Sequence, residues 1–105
     1  MIEIYMSPDL NNVVGFDWDE GNARKSVEKH DVSQAEAESV FFNEPLIVIQ
    51  ASRHSTSEER FNALGTTVAA RLLHVTFTLR GQGTLIRFIS ARDMSRNEKK
   101  IYEQA

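Results

Sequence analysis

Four arginines in the second half of the chain, Arg60, Arg80, Arg87 and Arg92, fall in or beside segments that read as β-strands. A guanidinium is a planar fork of donors that matches the oxygens of a phosphate. Two of the four bracket the otherwise apolar stretch Arg87-Phe88-Ile89-Ser90-Ala91-Arg92. An arginine buried there without a partner would be costly, so these two are either clamps on carboxylates or groups that face an anion. Nearby, His74 falls on the polar side of its strand, and Glu98 and Tyr102 stand at i, i+4 on the last helix, as surface neighbours. An RNA phosphodiester can be cut without a metal when its own 2′-hydroxyl attacks phosphorus. That reaction needs a base for the hydroxyl, cations for the charge on phosphorus and an acid for the leaving oxygen.

Other chemistries have less footing. The chain has no cysteine, hence no thiolate nucleophile, disulfide or cysteine metal site. His30, His54 and His74 are scattered and form no HExxH spacing. No GxSxG, phosphate loop or dinucleotide fingerprint occurs, and no cofactor is expected. Gly81-Gln82-Gly83 contains GxG, but between two strands, where it reads as a hairpin turn.

Each singled-out residue also has a plainer reading. Arg87 can pair with Glu59 or another carboxylate across the sheet. His30, in line with Ala23 and Val27, can be a half-buried packing histidine. Tyr102 can be a lid on the core with its hydroxyl in water. Lys25, Lys29, Lys99 and Lys100 read as solvated helix faces. The direction of Arg87 depends on the hairpin: a three-residue loop pairs it with Phe77, a four-residue loop with Thr78.

With 105 residues and 41% hydrophobic content, the chain suits one domain with one core. Apolar runs are too short for a membrane span or a signal peptide, and with the lack of cysteine this suggests a cytoplasmic protein. The net charge is −3, but it is unevenly spread. Residues 1–45 carry three Lys/Arg against ten Asp/Glu, and residues 46–105 carry nine against five. A basic surface attracts phosphates even on an acidic molecule.

The elements that must position these groups follow from local signals. Residues 1–12 read as a loosely held tail, and 13–105 as a single domain. Val13-Val14-Gly15-Phe16 starts a strand. Asp17 with Glu20 reads as a capping box opening a helix that ends at Lys29-His30, with Asp31 suited to a left-handed cap. Ser33 with Glu36 is a second box, and its helix ends before Asn43-Glu44-Pro45. Leu46–Gln50 is an apolar strand, and 51–57 reads as a polar loop. Glu59–Gly65 is the next strand, with a turn near Thr66 and Thr67. Leu72–Leu79 alternates, sending Leu73, Val75, Phe77 and Leu79 one way and His74, Thr76, Thr78 and Arg80 the other. Thr84–Ala91 returns, leaving Arg92 in a linker before the third box, Ser95 with Glu98, and a helix through Glu103. The expected fold is α+β: an antiparallel meander with two N-terminal helices on one face and a short C-terminal helix.

Three segments, FDWDEGNARKSVEKHDVSQAEAESVF (16–41), EERFNALG (58–65) and LIRFISARDMSRNEKKIYE (85–103), resemble the BrnT family of bacterial type II toxins. The resemblance runs from Phe16 to Glu103. It is carried by Trp18-Asp19, Lys29-His30, Glu59-Arg60 and Ile89-Ser90-Ala91-Arg92 ahead of Arg96, Glu98 and Tyr102. It implies a RelE/ParE-like fold and a metal-independent endoribonuclease neutralised by a BrnA-like antitoxin. Operator DNA would be bound only through the antitoxin, in a heterotetramer of two toxins and two antitoxins. By position, the resemblance nominates Arg60, Arg92, His30, Glu59 and Tyr102 as catalytic, and Arg87, Arg80, Lys29 and Trp18 as substrate-binding. The two arginines would hold phosphate, His30 or Glu59 would take the proton, and Tyr102 would assist. The family often has Lys at Asn22, Asn at Ser26 and Gly at Asp31. The loss of positive charge beside Lys29 motivates an alternative: a non-catalytic module that acts as co-repressor or inhibits another target such as gyrase.

Overall fold

The computed structural model describes residues 10–19, 21, 29–53 and 59–105, with 50–53 described at the backbone only. Its strands are β1 (Gly15–Asp17), β2 (Ile47–Arg53), β3 (Glu59–Thr66), β4 (Leu72–Arg80) and β5 (Leu85–Asp93). Its helices are α1 (Gln34–Ser39), continued by a 3-10 turn at Val40–Phe42, and α2 (Arg96–Glu103). The strands form one sheet in the order β1-β5-β4-β3-β2.

The four consecutive strands β2 to β5 are antiparallel, as their short connections require. β1 joins the free edge of β5 in parallel, Gly15 beside Leu85 and Asp17 beside Arg87, so the sheet is mixed and not a pure meander. A parallel pairing across 70 residues has no local signature, which is why the sequence does not announce it. Asp17 is consequently a strand residue and not a helix cap. The helix expected behind it falls mostly on 20 and 22–28, outside the described residues, and so does most of the tail, 1–9. Leu10–Asn12 is a 3-10 turn, and Leu10 packs on the core.

The helix starts fold as the capping logic requires. Ser33 accepts from the Glu36 amide while Glu36 reaches back to the Ser33 amide, and Ser95 and Glu98 repeat the exchange at α2. Asp31 takes the left-handed conformation with φ of 56°. β2 runs on to Arg53 where a polar loop was expected from Ala51, and β5 runs to Asp93, which puts Arg92 in the strand and not in a linker.

The sheet has two unlike faces. Phe61, Ala63, Leu73, Val75, Phe77, Ile86, Phe88 and Ala91 pack against Val32, Ala37 and Val40 around α1. On the other face Leu64 meets Met94 and Tyr102, which seats α2. Gly65 marks how closely α1 approaches: a Cβ added there would lie 2.9 Å from the Cβ of Val40 and 3.3 Å from Leu46 Cδ1. Val40 is fully buried and cannot yield. Gly65→Ala is therefore expected to lower stability by about 1–3 kcal/mol, seen as a lower urea midpoint at unchanged m.

Candidate functional site

The face of the sheet that carries α2 also carries the polar residues of the central strands. In the register of β4 and β5, His74 lies opposite Arg92, Thr76 opposite Ser90 and Thr78 opposite Arg87. The loop between these strands is the four-residue turn Gly81–Thr84, so Arg87 meets Thr78 and not Phe77. On the other side of β4, Asn62 lies opposite Thr76 and accepts its hydroxyl at 2.8 Å, and Leu64 lies opposite His74. Phe61 faces Phe77 in the core, so Arg60, one residue earlier on β3, turns to the polar face. The Thr78 hydroxyl donates to the Glu59 carbonyl at 2.6 Å. The face is thus two arginine-bearing rows, Arg60 with Arg87 and His74 with Arg92, about 13 Å apart along the strands.

At the second row, Arg92 grips Glu98 with both arms: Nη1 to Oε1 and Nη2 to Oε2, each at 2.9 Å. Nη1 also donates to the Asp93 carbonyl at 3.0 Å. Glu98 sits in the first turn of α2, where the Ser95 amide donates to its Oε1 at 2.8 Å. The Arg92 fork is the largest cause that pulls the Glu98 carboxyl down to about 2, helped by the Ser95 amide and opposed by partial burial. The Nε2 of His74 is 3.9 Å from Glu98 Oε2. Its Nδ1 is buried and has no hydrogen-bond partner among the described residues. Burial, and then the Arg92 charge, push His74 below the ordinary imidazole value, outweighing the pull of Glu98.

Arg87 is a clamp at the sheet edge. It reaches Asp17 Oδ2 at 3.5 Å and makes a short contact with Asp19, tying β1 and the residues after it to β5. Among the described residues its carboxylate partners are these two aspartates, not Glu59. Arg80 ends β4 and is exposed, as is Lys29.

The structure does not bring His30 to this face. Its carbonyl accepts from Arg71 Nη2 at 3.3 Å, and its ring helps hold the Asp93 carboxyl low, after the larger effect of Arg71. Asp93 stands opposite Leu73, a core-face residue, so this cluster lies on the α1 side. There Arg71 binds Asp93 at 2.7 Å and Glu36 of α1 at 3.0 Å, and both carboxyls titrate below their ordinary values. Trp18 also belongs to the α1 side: its indole stacks on Phe88 at 4.5 Å and donates to Glu38 at 2.8 Å. Tyr102 is buried under α2, where its hydroxyl donates to the Pro45 carbonyl at 2.6 Å and does not sit in water. His74 is the group that site nomination from the sequence passed over, although the alternation of β4 already set it on the polar face. An apolar cavity of about 220 Å³ lies at the β1 edge on the core side of the sheet, lined by Leu10, Val13, Phe16, Phe41 and Phe42. No group of three or more His, Cys, Asp or Glu side chains arranged to hold a metal ion occurs among the described residues.

Residues 18–98 match a protein-family model described as the ribonuclease toxin BrnT of a type II toxin–antitoxin system. Among solved structures, the Brucella abortus ribonuclease toxin BrnT is similar with a TM-score of 0.59 at 21% identity, over 80% of this chain and 100% of that one. That likeness establishes a shared fold. No curated protein matches the chain.

The Glu98 carboxyl falls from an ordinary 4.5 to about 2 on folding, so its contribution is full above about 4.5 and is lost as pH drops toward 2. Asp93 and Glu36, also lowered, act in the same sense. Thermal midpoints should therefore fall steeply between about pH 5 and pH 2. Glu98→Gln keeps the capping geometry but not the charge. It should cost about 2 kcal/mol at pH 7, after allowance for solvent screening, and flatten that acid limb.

Proposed function

The chain belongs to the BrnT family of ribonuclease toxins of type II toxin–antitoxin systems, and on that premise we propose that it is a metal-independent endoribonuclease with a RelE/ParE-like fold. The observation that carries this reading is the face on which Arg60, Arg87 and Arg92 surround the hydroxyls and amides of Asn62, Thr76 and Ser90. Cations and neutral donors in that arrangement suit a phosphate chain more than an apolar ligand.

Arg60 and Arg92 hold the scissile phosphate and stabilise the charge that grows on it as the 2′-hydroxyl attacks. The RNA phosphate takes the place of the Glu98 carboxylate on the Arg92 fork. Arg80, Arg87 and Lys29 steer the flanking strand. Tyr102 acts from behind, holding α2 against Pro45, and Trp18 holds β1 in register. Glu59 and His30, named for the proton by family likeness, stand respectively at the start of β3 and on the α1 side.

Type II systems pair a toxin with an antitoxin, and we take the partner here to be BrnA-like. It blocks the arginine face, carries the operator-DNA contacts and assembles two toxins into a heterotetramer in the cytoplasm. No helix among the described residues is long and apolar enough to cross a membrane. A second reading, a non-catalytic toxin fold kept as co-repressor, is favoured by one observation: Arg87 and Arg92 both already hold carboxylates of their own chain.

Induced expression separates the two. The catalytic reading expects growth arrest and RNA loss, relieved by the antitoxin. Arg60→Ala and Arg92→Ala should each lower RNA cleavage by about 100-fold or more. Intact RNA with wild-type protein, together with retained antitoxin binding, would establish the co-repressor instead.

A further inference from the structure

We infer that His74 is a proton-transfer residue of this site, the group that receives the 2′-hydroxyl proton when an RNA phosphate replaces Glu98 on the Arg92 fork. The inference deepens the ribonuclease reading and rests on it. Glu98 shows where an anion sits against this fork: its Oε2 is 2.9 Å from Arg92 Nη2 and 3.9 Å from His74 Nε2. A phosphate oxygen in that place brings the adjoining ribose hydroxyl within reach of the imidazole. A base for this proton must stand beside the fork, since proton transfer needs hydrogen-bond contact in the transition state.

Among the described residues, the alternatives around it are committed elsewhere. Tyr102 gives its hydroxyl to Pro45, and His30 lies with Asp93 on the other side of the sheet. Glu98, held by both arms of Arg92 and by the Ser95 amide, is a weak base. Among the described residues, the groups that face His74 are Arg92 from β5, Leu64 from β3, and Glu98 of α2. Burial first, and then Arg92, disfavour the protonated ring while Glu98 favours it, so the imidazole stays in its proton-accepting form at neutral pH. His74 is buried with only 9% of its surface exposed. Among the described residues its buried Nδ1 has no partner at good hydrogen-bond geometry, the kind of exception that buried polar groups show at functional sites.

In the step itself, the bond from the 2′-oxygen to phosphorus forms as its proton passes to His74 Nε2. The bond from phosphorus to the 5′-oxygen breaks, and that oxygen leaves with a proton from water. The products are a 2′,3′-cyclic phosphate and a 5′-hydroxyl, and the imidazolium returns its proton to solvent.

The test is cleavage of a 5′-labelled messenger RNA, with and without ribosomes, by full-length wild-type protein and His74→Gln from pH 5 to 8.5, beside melting curves of both. The expected result is a His74→Gln rate at least about 100-fold lower at pH 7, and a wild-type rate level from pH 7 to about 6.5 that falls only at lower pH. The variant should lose that acid limb while melting as the wild type does. A His74→Gln protein that cleaves within about threefold of wild type, with the same pH profile, overturns the role of His74 and leaves the ribonuclease reading standing. Absence of cleavage by the wild type overturns both. If His74→Gln fails to fold, the wild-type profile decides: a fall below about pH 6.5 supports the role, and a rate indifferent to acid down to pH 5 overturns it.

Discussion

One extra residue in β5 sets the layout of the polar face. Thr76 pairs with Ser90 but Phe77 pairs with Phe88, so Ile89 is bulged out of the ladder. Strand side chains alternate with period two, and strict alternation from the buried Phe88 would drive Ser90 and Arg92 into the core beside α1. The bulge resets the count. Phe88 and Ala91, three apart, both become buried, and Arg87, Ser90 and Arg92 come to share the opposite face with His74 and Thr78. The core-facing position beyond Phe88 is taken by Ala91, which is fully buried and leaves no room for a guanidinium. The placing of Ser90 and Arg92 on the polar face beside Thr76 and His74 depends on this single irregularity, and β2 carries a matching one between Val48 and Gln50.

The uneven charge of the two halves has a structural meaning beyond solvation. Acids from the front of the chain reach arginines from the back: Asp17 and Asp19 hold Arg87, and Glu36 holds Arg71, which Asp93 of β5 also binds. Arg71 spends its fork on two carboxylates and on the carbonyls of His30 and Asp31, which fastens the entry to α1 onto the start of β4. Such pairs are half-exposed, and each adds little stability by itself. Their effect is to fix which segment lies against which. Arg92 differs, because its partner comes from α2, six residues on, in the first turn of a short helix.

Much of the fold was readable because its signals are local. Both described capping boxes, the left-handed Asp31, the glycine hairpin and the alternation of β4 rest on residues within four positions of each other. The parallel β1–β5 pairing, the bulge at Ile89 and the extension of β5 through Arg92 rest on contacts distant in sequence or on a one-residue offset that no period reveals. The candidate site divides the same way. The residue types were visible, and Arg60, Arg87 and Arg92 do share a face. Their partners were not: the hydroxyl of Tyr102 finds Pro45, Arg87 finds the aspartates after Phe16, and His30 lies across the sheet, because long side chains reach whatever the tertiary fold brings near. His74 was set on the correct face by alternation, yet its nearness to Glu98 required α2 to be in place.

Trp18 is the single tryptophan of the chain. Its ring lies flat on Phe88 while its nitrogen holds Glu38, so it touches β5 and α1 together from the strand-end beyond β1. Indole fluorescence from this protein therefore has one source, on the side of the sheet away from the arginines. It is a built-in optical gauge of whether the N-terminal edge is docked, and a ligand that takes Arg87 from Asp17 and Asp19, the residues on either side of the indole, would register in it from the opposite face of the sheet.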